Sequence, residues 1–517
     1  MISCGILEKP GRWRSMVMVS IFLLAFSPAF PLLWTVLVEL SADSLFGSGF
    51  GTAVFHSLSV AIAVAVIAVL VGVPAGLLSA LYEFPGRRIL LALIATPLLV
   101  PTFLVAIGLS QLHIYLGLSP DSLLSGQTGT ILAFATTAIP LVLYMTLVSV
   151  RSLSKSQLEA ARLVGGEVLL LRYTAQAVLP AALLTGILAG ILTLSDPGPG
   201  QILGFSGVPY EILLSFSALY DFGLAAKQSA FLTGMVLLIS IPVAILIAPN
   251  VAAGLLGRDI KSAPLAKHSR AGWLGLLLLG TIILMTTILP MVGIIRPLTA
   301  QFPLERALQE VSRTISNTFI YAFTAGLIAT MLGFLLAIAA GRENRLRRIV
   351  LIGLFLLISL PPSINALGII KIGTIIPAWL DPLLRSKFTV GLASALRFVP
   401  IATILAMRAF GSTSPSQTLV ASVHGIPLTL YIRRILGPIL LPAMVLACLI
   451  VALLSTAEVG TALLLRPPGA DSLPVQIFTV MANAPESLVA ALCFLYIVGA
   501  ASLLMMGWLV AGRRTTT

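Results

Sequence analysis

The chain has 517 residues, of which 58% are hydrophobic and only 9% are charged, and its mean hydropathy is +1.08. Soluble domains average roughly 45–50% apolar and about 25% charged residues, so this composition excludes an ordinary soluble protein and predicts a polytopic membrane protein. The net charge of +13 would suit nucleic-acid binding. The distribution of the basic residues along the chain provides a simpler explanation, so no nucleic-acid partner is predicted.

Twelve stretches of low charge are long enough to cross a membrane, since a spanning helix needs roughly 20 apolar residues. They predict an all-α protein with about twelve transmembrane helices, in contact with membrane lipid. The predicted spans are Met16–Val38, Thr52–Tyr82, Ile89–Leu112, Gly126–Val150, Tyr173–Ser195, Gln228–Pro249, Ala271–Ile295, Thr314–Ala340, Ile349–Ile370, Phe388–Met407, Ile435–Ala457 and Ser487–Gly512.

The basic residues between these spans predict an orientation. With the N-terminus placed in the cytoplasm, 22 of the 31 Lys and Arg residues fall in cytoplasmic segments and 8 fall outside, while Arg397 lies within a span. Loops on the cytoplasmic side of a membrane carry an excess of Lys and Arg. The count therefore predicts that both termini are cytoplasmic.

The two halves of the chain resemble one another at a constant offset of 260 or 261 residues. Each half has six predicted spans, so both enter the membrane in the same orientation and form a parallel repeat about an axis along the membrane normal. We predict a first repeat over 1–257, a cytoplasmic linker over 258–270 and a second repeat over 271–517. Matching pairs are Gly72 and Gly333, Arg87 and Arg347, Pro101 and Pro361, Gly108 and Gly368, Gly165 and Gly425, and Ser195 and Ser455.

A small, partly charged segment, 155–172, precedes the fifth span of the first half. Its pattern predicts a short helix, a break at Gly165-Gly166 and a second amphipathic piece that returns to the membrane. Two structures fit this pattern. The helix could dock in a groove of a partner protein, or it could lie in the lipid headgroups.

The letters "EAA", three further residues and a glycine, followed later by "LP", resemble the signature loop of binding-protein-dependent ABC transporter permeases. The matching residues are Glu159, Ala160, Ala161 and Gly165. The resemblance implies a fold like that of type I ABC importers, in the bacterial cytoplasmic (inner) membrane. It also implies that the segment couples to a cytoplasmic ABC ATPase dimer and that an extracytoplasmic substrate-binding protein delivers the solute.

The equivalent loop of the second half, 415–434, follows this motif less closely. Only Ala421 and Gly425 hold the pattern, and Leu419 stands where the glutamate would be. We therefore expect the two contacts with the ATPase to be energetically unequal.

The fused arrangement resembles the branch of these permeases that imports ferric iron or thiamine. The segments "LSDPGPGQILG" from Leu194 and "STAEVGTALLLRPPGADSLPVQIFT" from Ser455 carry this likeness. The resemblance implies the permease subunit of an ATP-driven importer for a small solute, with ferric iron or a thiamine-like compound as the candidate cargo.

No enzymatic centre is predicted. None of the seven lysines follows a glycine, so the chain lacks the Gly-Lys of a phosphate-binding loop, and ATP hydrolysis would belong to a separate subunit. The four histidines are scattered, and neither a metal site nor a cofactor is expected. An ion-coupled secondary transporter and a non-transporting scaffold are the alternatives, although the span interiors carry few of the ionisable groups that ion coupling uses.

Five polar residues are candidates for the translocation pathway. Ser195 and Asp196 end the fifth span of the first half, and Ser455 and Glu458 hold the corresponding positions in the second, so they should face each other near the outer mouth. Asn365 is a rare amide in an apolar run after Pro361-Pro362. The alternative is that these groups cap helix ends and repair the backbone around proline.

Overall fold

The fold was obtained as a computed structural model, which describes residues 12–38, 49–120, 122–256, 266–267, 270–300 and 302–512. The predicted linker, 258–270, lies outside the described residues except for 266–267 and Arg270, and both chain termini lie outside them as well.

The N-terminal half consists of ten α-helices and one two-residue strand among its described residues. A short 3-10 helix, Thr96–Leu98, extends α4. The elements are α1 Arg12–Phe26, α2 Ala29–Val38, α3 Phe50–Leu81, β1 Tyr82–Glu83, α4 Arg87–Ala95, α5 Thr102–Tyr115, α6 Gly126–Arg151, α7 Lys155–Thr193, α8 Gly198–Leu203, α9 Val208–Ser217 and α10 Phe222–Leu256.

The C-terminal half repeats much of this order. Two π-helical turns, Leu284–Ile288 and Ile432–Leu436, and one 3-10 turn, Ala378–Leu380, interrupt its α-helices. The elements are β2 Ala266–Lys267, α11 Arg270–Ile283, α12 Leu289–Ala300, α13 Leu304–Ala340, α14 Asn344–Ser359, α15 Pro362–Gly373, α16 Asp381–Leu384, α17 Lys387–Ser412, α18 Pro415–Val423, α19 Leu428–Tyr431, α20 Gly437–Ala457, α21 Val459–Leu465, α22 Leu473–Val480 and α23 Glu486–Gly512.

The protein is an all-α polytopic membrane protein, as predicted. Within the described ranges, nine helices are long and apolar enough to span, or up to eleven if each of two bent pairs is one span. The predicted number of twelve is not confirmed. The first predicted span, Met16–Val38, is broken at Ser27-Pro28 into helices of 15 and 10 residues, each shorter than the roughly 20 residues that a span needs.

Two predicted spans, Ile89–Leu112 and Ile349–Ile370, are sharply bent rather than straight. The chain turns by 97° between Leu98 and Thr102 and by 88° between Ser359 and Pro362. Pro101 and Pro361 sit at the bends in extended conformation and start the following helices, α5 and α15. Proline lacks a backbone N–H and disfavours the helical conformation of the preceding residue, so a helix readily ends there.

The bends bring α5 and α15 against the opposite halves of the chain. A Cβ atom on Gly368 of α15 would lie 1.8 Å from the Pro28 carbonyl oxygen, and one on Gly108 of α5 would lie 2.3 Å from the Pro290 carbonyl oxygen. Each bent segment therefore packs on the first predicted span of the other half. Only glycine permits so close a backbone approach, which membrane helix interfaces commonly use.

We expect Gly368→Ala to destabilise the protein, because its methyl group would collide with backbone rather than with a movable side chain. Overpacking of this kind costs about 1–3 kcal/mol. Gly234→Ala is the matched control, since Gly234 is also helical and has nothing within 4 Å of the added Cβ. Thermal unfolding in detergent should show a lower midpoint for the first variant alone; equal midpoints would contradict the packing argument.

Candidate functional site

Asp196 lies where three helices of the N-terminal half converge. One carboxylate oxygen, Oδ1, accepts the backbone N–H of Gly198 at 2.9 Å, and the other, Oδ2, accepts the hydroxyl of Thr102 at the start of α5. The carboxylate therefore joins the end of α7 to the bend before α5 and to the beginning of α8.

Glu458 forms a buried ion pair with Arg397 in the C-terminal half. The distance from Arg397 Nη1 to Glu458 Oε1 is 3.6 Å, and the two side chains are only 10% and 8% exposed. Arg397 Nη1 also donates to the Leu360 carbonyl oxygen at 3.3 Å, at the bend before α15, and Thr461 donates its hydroxyl to Glu458. Three segments of this half thus meet at one charged pair, as three segments meet at Asp196.

The two clusters adjoin each other. A Cβ on Gly460 would lie 3.4 Å from Pro362 and 3.7 Å from Pro197, so the chain after Asp196 touches the chain after Glu458. We call Asp196, Arg397 and Glu458 the charged junction; it contains one positive and two negative groups.

The predicted serines do not contribute polar contacts to this junction. The Ser195 hydroxyl donates to the Ile191 carbonyl oxygen, and the Ser455 hydroxyl donates to that of Ala452, so both bond within their own helices. These contacts fit the capping alternative that the sequence left open.

Asn365 on α15 is 1% exposed, and among the described residues neither its amide nitrogen nor its oxygen has a hydrogen-bond partner. Glu458 Oε2 is likewise buried without a partner in that part of the chain. Nearby on α15, Ser363 and Ser229 of α10 exchange a hydrogen bond at 2.8 Å, which links the two halves. A buried polar group without a hydrogen-bond partner destabilises the folded protein. These atoms are therefore available to form hydrogen bonds with another group.

The sequence identified Arg397 as a lone charge within a span but did not identify its partner. The pair joins α17 to the end of α20, and no linear pattern connects residues so far apart. The available signal was physical: a cation at membrane depth requires an anion or carbonyl oxygens nearby.

A recess with both apolar and polar side chains in its lining adjoins Asp196 in the N-terminal half. Its lining residues include Ser57, Thr130, Thr193, Asp196 and Tyr210. Asp196 is therefore shared between this recess and the charged junction.

The segment 155–172 forms the beginning of α7, which at 39 residues is about twice as long as a span requires. Gly165 and Gly166 have non-helical backbone angles, so the predicted break is present inside α7. Gly166 has φ +63° and ψ −155°, a conformation that residues with a Cβ rarely adopt. The part before the break, 155–164, is called the first docking helix, after one of the two roles that its sequence pattern fits.

The first docking helix presents a largely uncovered surface. Glu159 and Ala160 are exposed, Ala161 is partly covered, and Leu158 is buried beneath them. Leu163 is 87% exposed and Val164 is 82% exposed. An exposed apolar surface of this kind is typical of a protein or membrane contact.

The second docking helix is α18. Its Ala421 is buried, and a turn at Gly425, with φ +65°, ends the helix. Leu419 and Val420 are about half exposed, and Val423, which aligns with Leu163 in the predicted repeat, is 83% exposed. Both docking helices therefore expose an apolar residue two positions before a glycine.

No group of three or more His, Cys, Asp or Glu side chains suited to a metal ion occurs in the described part of the chain. His56 packs near Phe205, with 6.2 Å between ring centroids, and His113 Nδ1 lies 2.8 Å from the Ser122 hydroxyl.

The chain is similar to proteins named "Putative 2-aminoethylphosphonate transport system permease protein PhnU". Identity is 29% over 173 residues with the Salmonella typhi protein, and 29% over 174 residues with those of Salmonella choleraesuis and Salmonella typhimurium. The matched stretch is 30% of this chain and 59–60% of each relative, so the chain spans about three fifths of the length of these relatives. No family model and no solved structure matches the chain.

Proposed function

We propose that this protein is the permease subunit of an ATP-driven, binding-protein-dependent ABC importer for a small solute. The observation that carries the proposal is the pair of docking helices, each exposing an apolar residue beside a glycine turn and each preceding a long apolar helix. Such helices fit the clefts of a cytoplasmic ATPase dimer. The similarity to transport system permeases supports the same function.

We further propose that the two halves are parallel repeats about a central pathway. The bends at Pro101 and Pro361 and the contacts of Gly108 and Gly368 across the halves support this arrangement. The excess of basic residues beside the docking helices supports their placement in the cytoplasm, with the charged junction toward the outer side. A substrate-binding protein would then deliver the solute to the junction end.

The charged junction supports a cargo that carries both signs of charge. Arg397 is suited to an acidic group, and Asp196 with Glu458 is suited to an ammonium group. The substrate named for the relatives, 2-aminoethylphosphonate, has both groups. Ferric iron and thiamine-like compounds, which the sequence resemblance suggested, lack an acidic group for Arg397 and are the comparison cargoes in the same uptake assay.

The experiment is transport into vesicles that contain the purified chain and its candidate ATPase, with ATP and an ion gradient supplied separately. We expect uptake to require ATP and the ATPase subunit. Uptake driven by the ion gradient alone would instead identify a secondary transporter, and a purified chain that neither retains an ATPase nor moves any solute would identify a scaffold.

Glu159→Lys should uncouple ATP hydrolysis from uptake while the protein stays inserted. Glu159 is exposed and makes no hydrogen bond or ion pair within the described chain, so an effect on coupling would arise at the partner. Leu419→Lys, at the corresponding position, should have the smaller effect. Solute moved per ATP hydrolysed is the measurement, and unchanged coupling in the Glu159 variant would contradict its assigned role.

A further inference from the structure

Arg162 and Glu167 lie on opposite sides of the glycine break in α7. The distance from Arg162 Nη2 to Glu167 Oε1 is 2.5 Å, and each side chain is about two fifths exposed. The ion pair therefore bridges the break and connects the first docking helix to the remainder of α7. The glycines between them have few conformational preferences of their own, so the angle must be set by contacts such as this one.

Tyr82 holds the other oxygen of the same carboxylate. It follows the last residue of α3, is fully buried, and donates its hydroxyl to Glu167 Oε2. Burial, and then the hydrogen bond to Glu167, raise the pKa of Tyr82, so the phenol keeps its proton and remains a donor at neutral pH. A hydrogen bond to a charged group is stronger than one between neutral groups.

Tyr82 is also paired with the segment that joins the two halves. In the two-stranded sheet, Tyr82 pairs with Ala266 and Glu83 pairs with Lys267. One residue thus contacts the end of α3, the inter-half segment and, through Glu167, the first docking helix.

The second docking helix is held differently. Ser422 and Pro427 stand where the predicted repeat would place Arg162 and Glu167, and they cannot form an ion pair. Instead, the Thr418 and Tyr431 hydroxyls lie 3.0 Å apart in a buried site, and Arg342 donates to the Thr413 carbonyl oxygen before the helix. The second helix is therefore held by a buried neutral hydrogen bond and by one from an arginine to a backbone carbonyl, whereas the first helix is held by an ion pair across the glycine break.

We propose that Tyr82, Arg162 and Glu167 form a clasp that sets the angle of the first docking helix and so positions it to transmit ATPase movement to α3 and α7 together. The coupling part of this inference rests on the proposed function. The three residues are positioning residues, since none of them reaches the charged junction.

Two measurements on the full-length chain test the clasp. In Glu167→Gln and Tyr82→Phe, backbone hydrogen exchange over 155–166 should rise about fivefold, the effect of losing a contact worth about 1 kcal/mol at 1.4 kcal/mol per tenfold. Solute moved per ATP should fall in the same variants while ATPase association persists. Arg172→Gln is the control, because Arg172 is exposed in the same segment and makes no hydrogen bond or ion pair within the described chain.

The charge-exchanged pair R162E/E167R restores the ion pair across the break but not the hydrogen bond from Tyr82, so its exchange and coupling should return only to the level of Tyr82→Phe. Exchange in Glu167→Gln equal to that of the Arg172 control would overturn the clasp. Faster exchange with unchanged coupling would overturn its positioning role. If the unmodified chain neither binds an ATPase nor transports, the proposed function fails, and the exchange measurement still decides whether the clasp exists.

Discussion

Arg397→Met is expected to lower the yield of folded protein severely. The substitution leaves Glu458 buried with no cation beside it, and removing one partner of a buried ion pair costs about 3–5 kcal/mol. Glu458→Met should be similarly harmful, because Arg397 would keep only the Leu360 carbonyl oxygen as a partner. Yield from the membrane and thermal unfolding in detergent measure the effect.

The double variant R397M/E458M separates stability from transport. Replacing both charges with apolar side chains of similar length is often neutral for stability, so folding should largely recover. If the charged junction lies in the pathway, uptake should remain lost in this folded protein. Full uptake would contradict the pathway role, whereas a double variant no more stable than the single ones would contradict the pairing.

An exposed ion pair in the same half provides the matched control. Arg385 and Asp381 lie 2.8 Å apart, but the arginine side chain is 81% exposed. Exposed pairs contribute about 0–1 kcal/mol, so Arg385→Met should leave the unfolding midpoint nearly unchanged. A loss as large as that of Arg397→Met would show that the assay does not report on burial.

The combined variant L163E/V423E is expected to lose its association with an ATPase subunit. Leu163→Glu and Val423→Glu are also made singly. Both side chains are almost fully exposed, so the substitutions should not disturb the fold. A charge in the apolar centre of an interface leaves an unpaired, desolvated group, which costs several kcal/mol. Co-purification and solute uptake are the measurements.

The control for this prediction is Leu123→Glu, which places the same charge on another exposed leucine, just before the start of α6 and so at the end of α6 far from the first docking helix. It should retain the ATPase fully. Retention of the ATPase by L163E/V423E would contradict the docking surface and, with it, the main support for the proposed function. Because the two docking helices differ, the single variants should differ in the size of their effects.

Local sequence patterns predicted much of the fold correctly. Apolar runs identified the long helices, since a span must be about 20 residues of low charge wherever it occurs. The glycine pair at Gly165-Gly166 correctly indicated a break, because glycine costs a helix stability and allows backbone angles closed to other residues. These are properties of contiguous residues and can be read from the chain alone.

The bends at Pro101 and Pro361 could not be predicted from local sequence patterns. Pro101 and Pro361 were recognised as matching positions, yet proline is tolerated in straight membrane helices when neighbouring groups satisfy the freed backbone. Whether the chain turns at such a proline depends on whether another part of the protein can pack against the segment that follows it. In this protein, Gly368 of α15 packs on the backbone of Pro28, and Gly108 of α5 packs on the backbone of Pro290, each in the opposite half of the chain.

By itself, the sequence determined that this chain is an all-α membrane protein with an exposed segment ending in a glycine break, because hydropathy and backbone freedom are local. Only the tertiary structure decided which polar groups meet. Arg397 and Glu458 pair across helices, Asp196 reaches Thr102, and Tyr82 reaches Glu167 over 85 residues of chain. Such contacts depend on helix packing, and a buried charge is stable only where that packing supplies its partner.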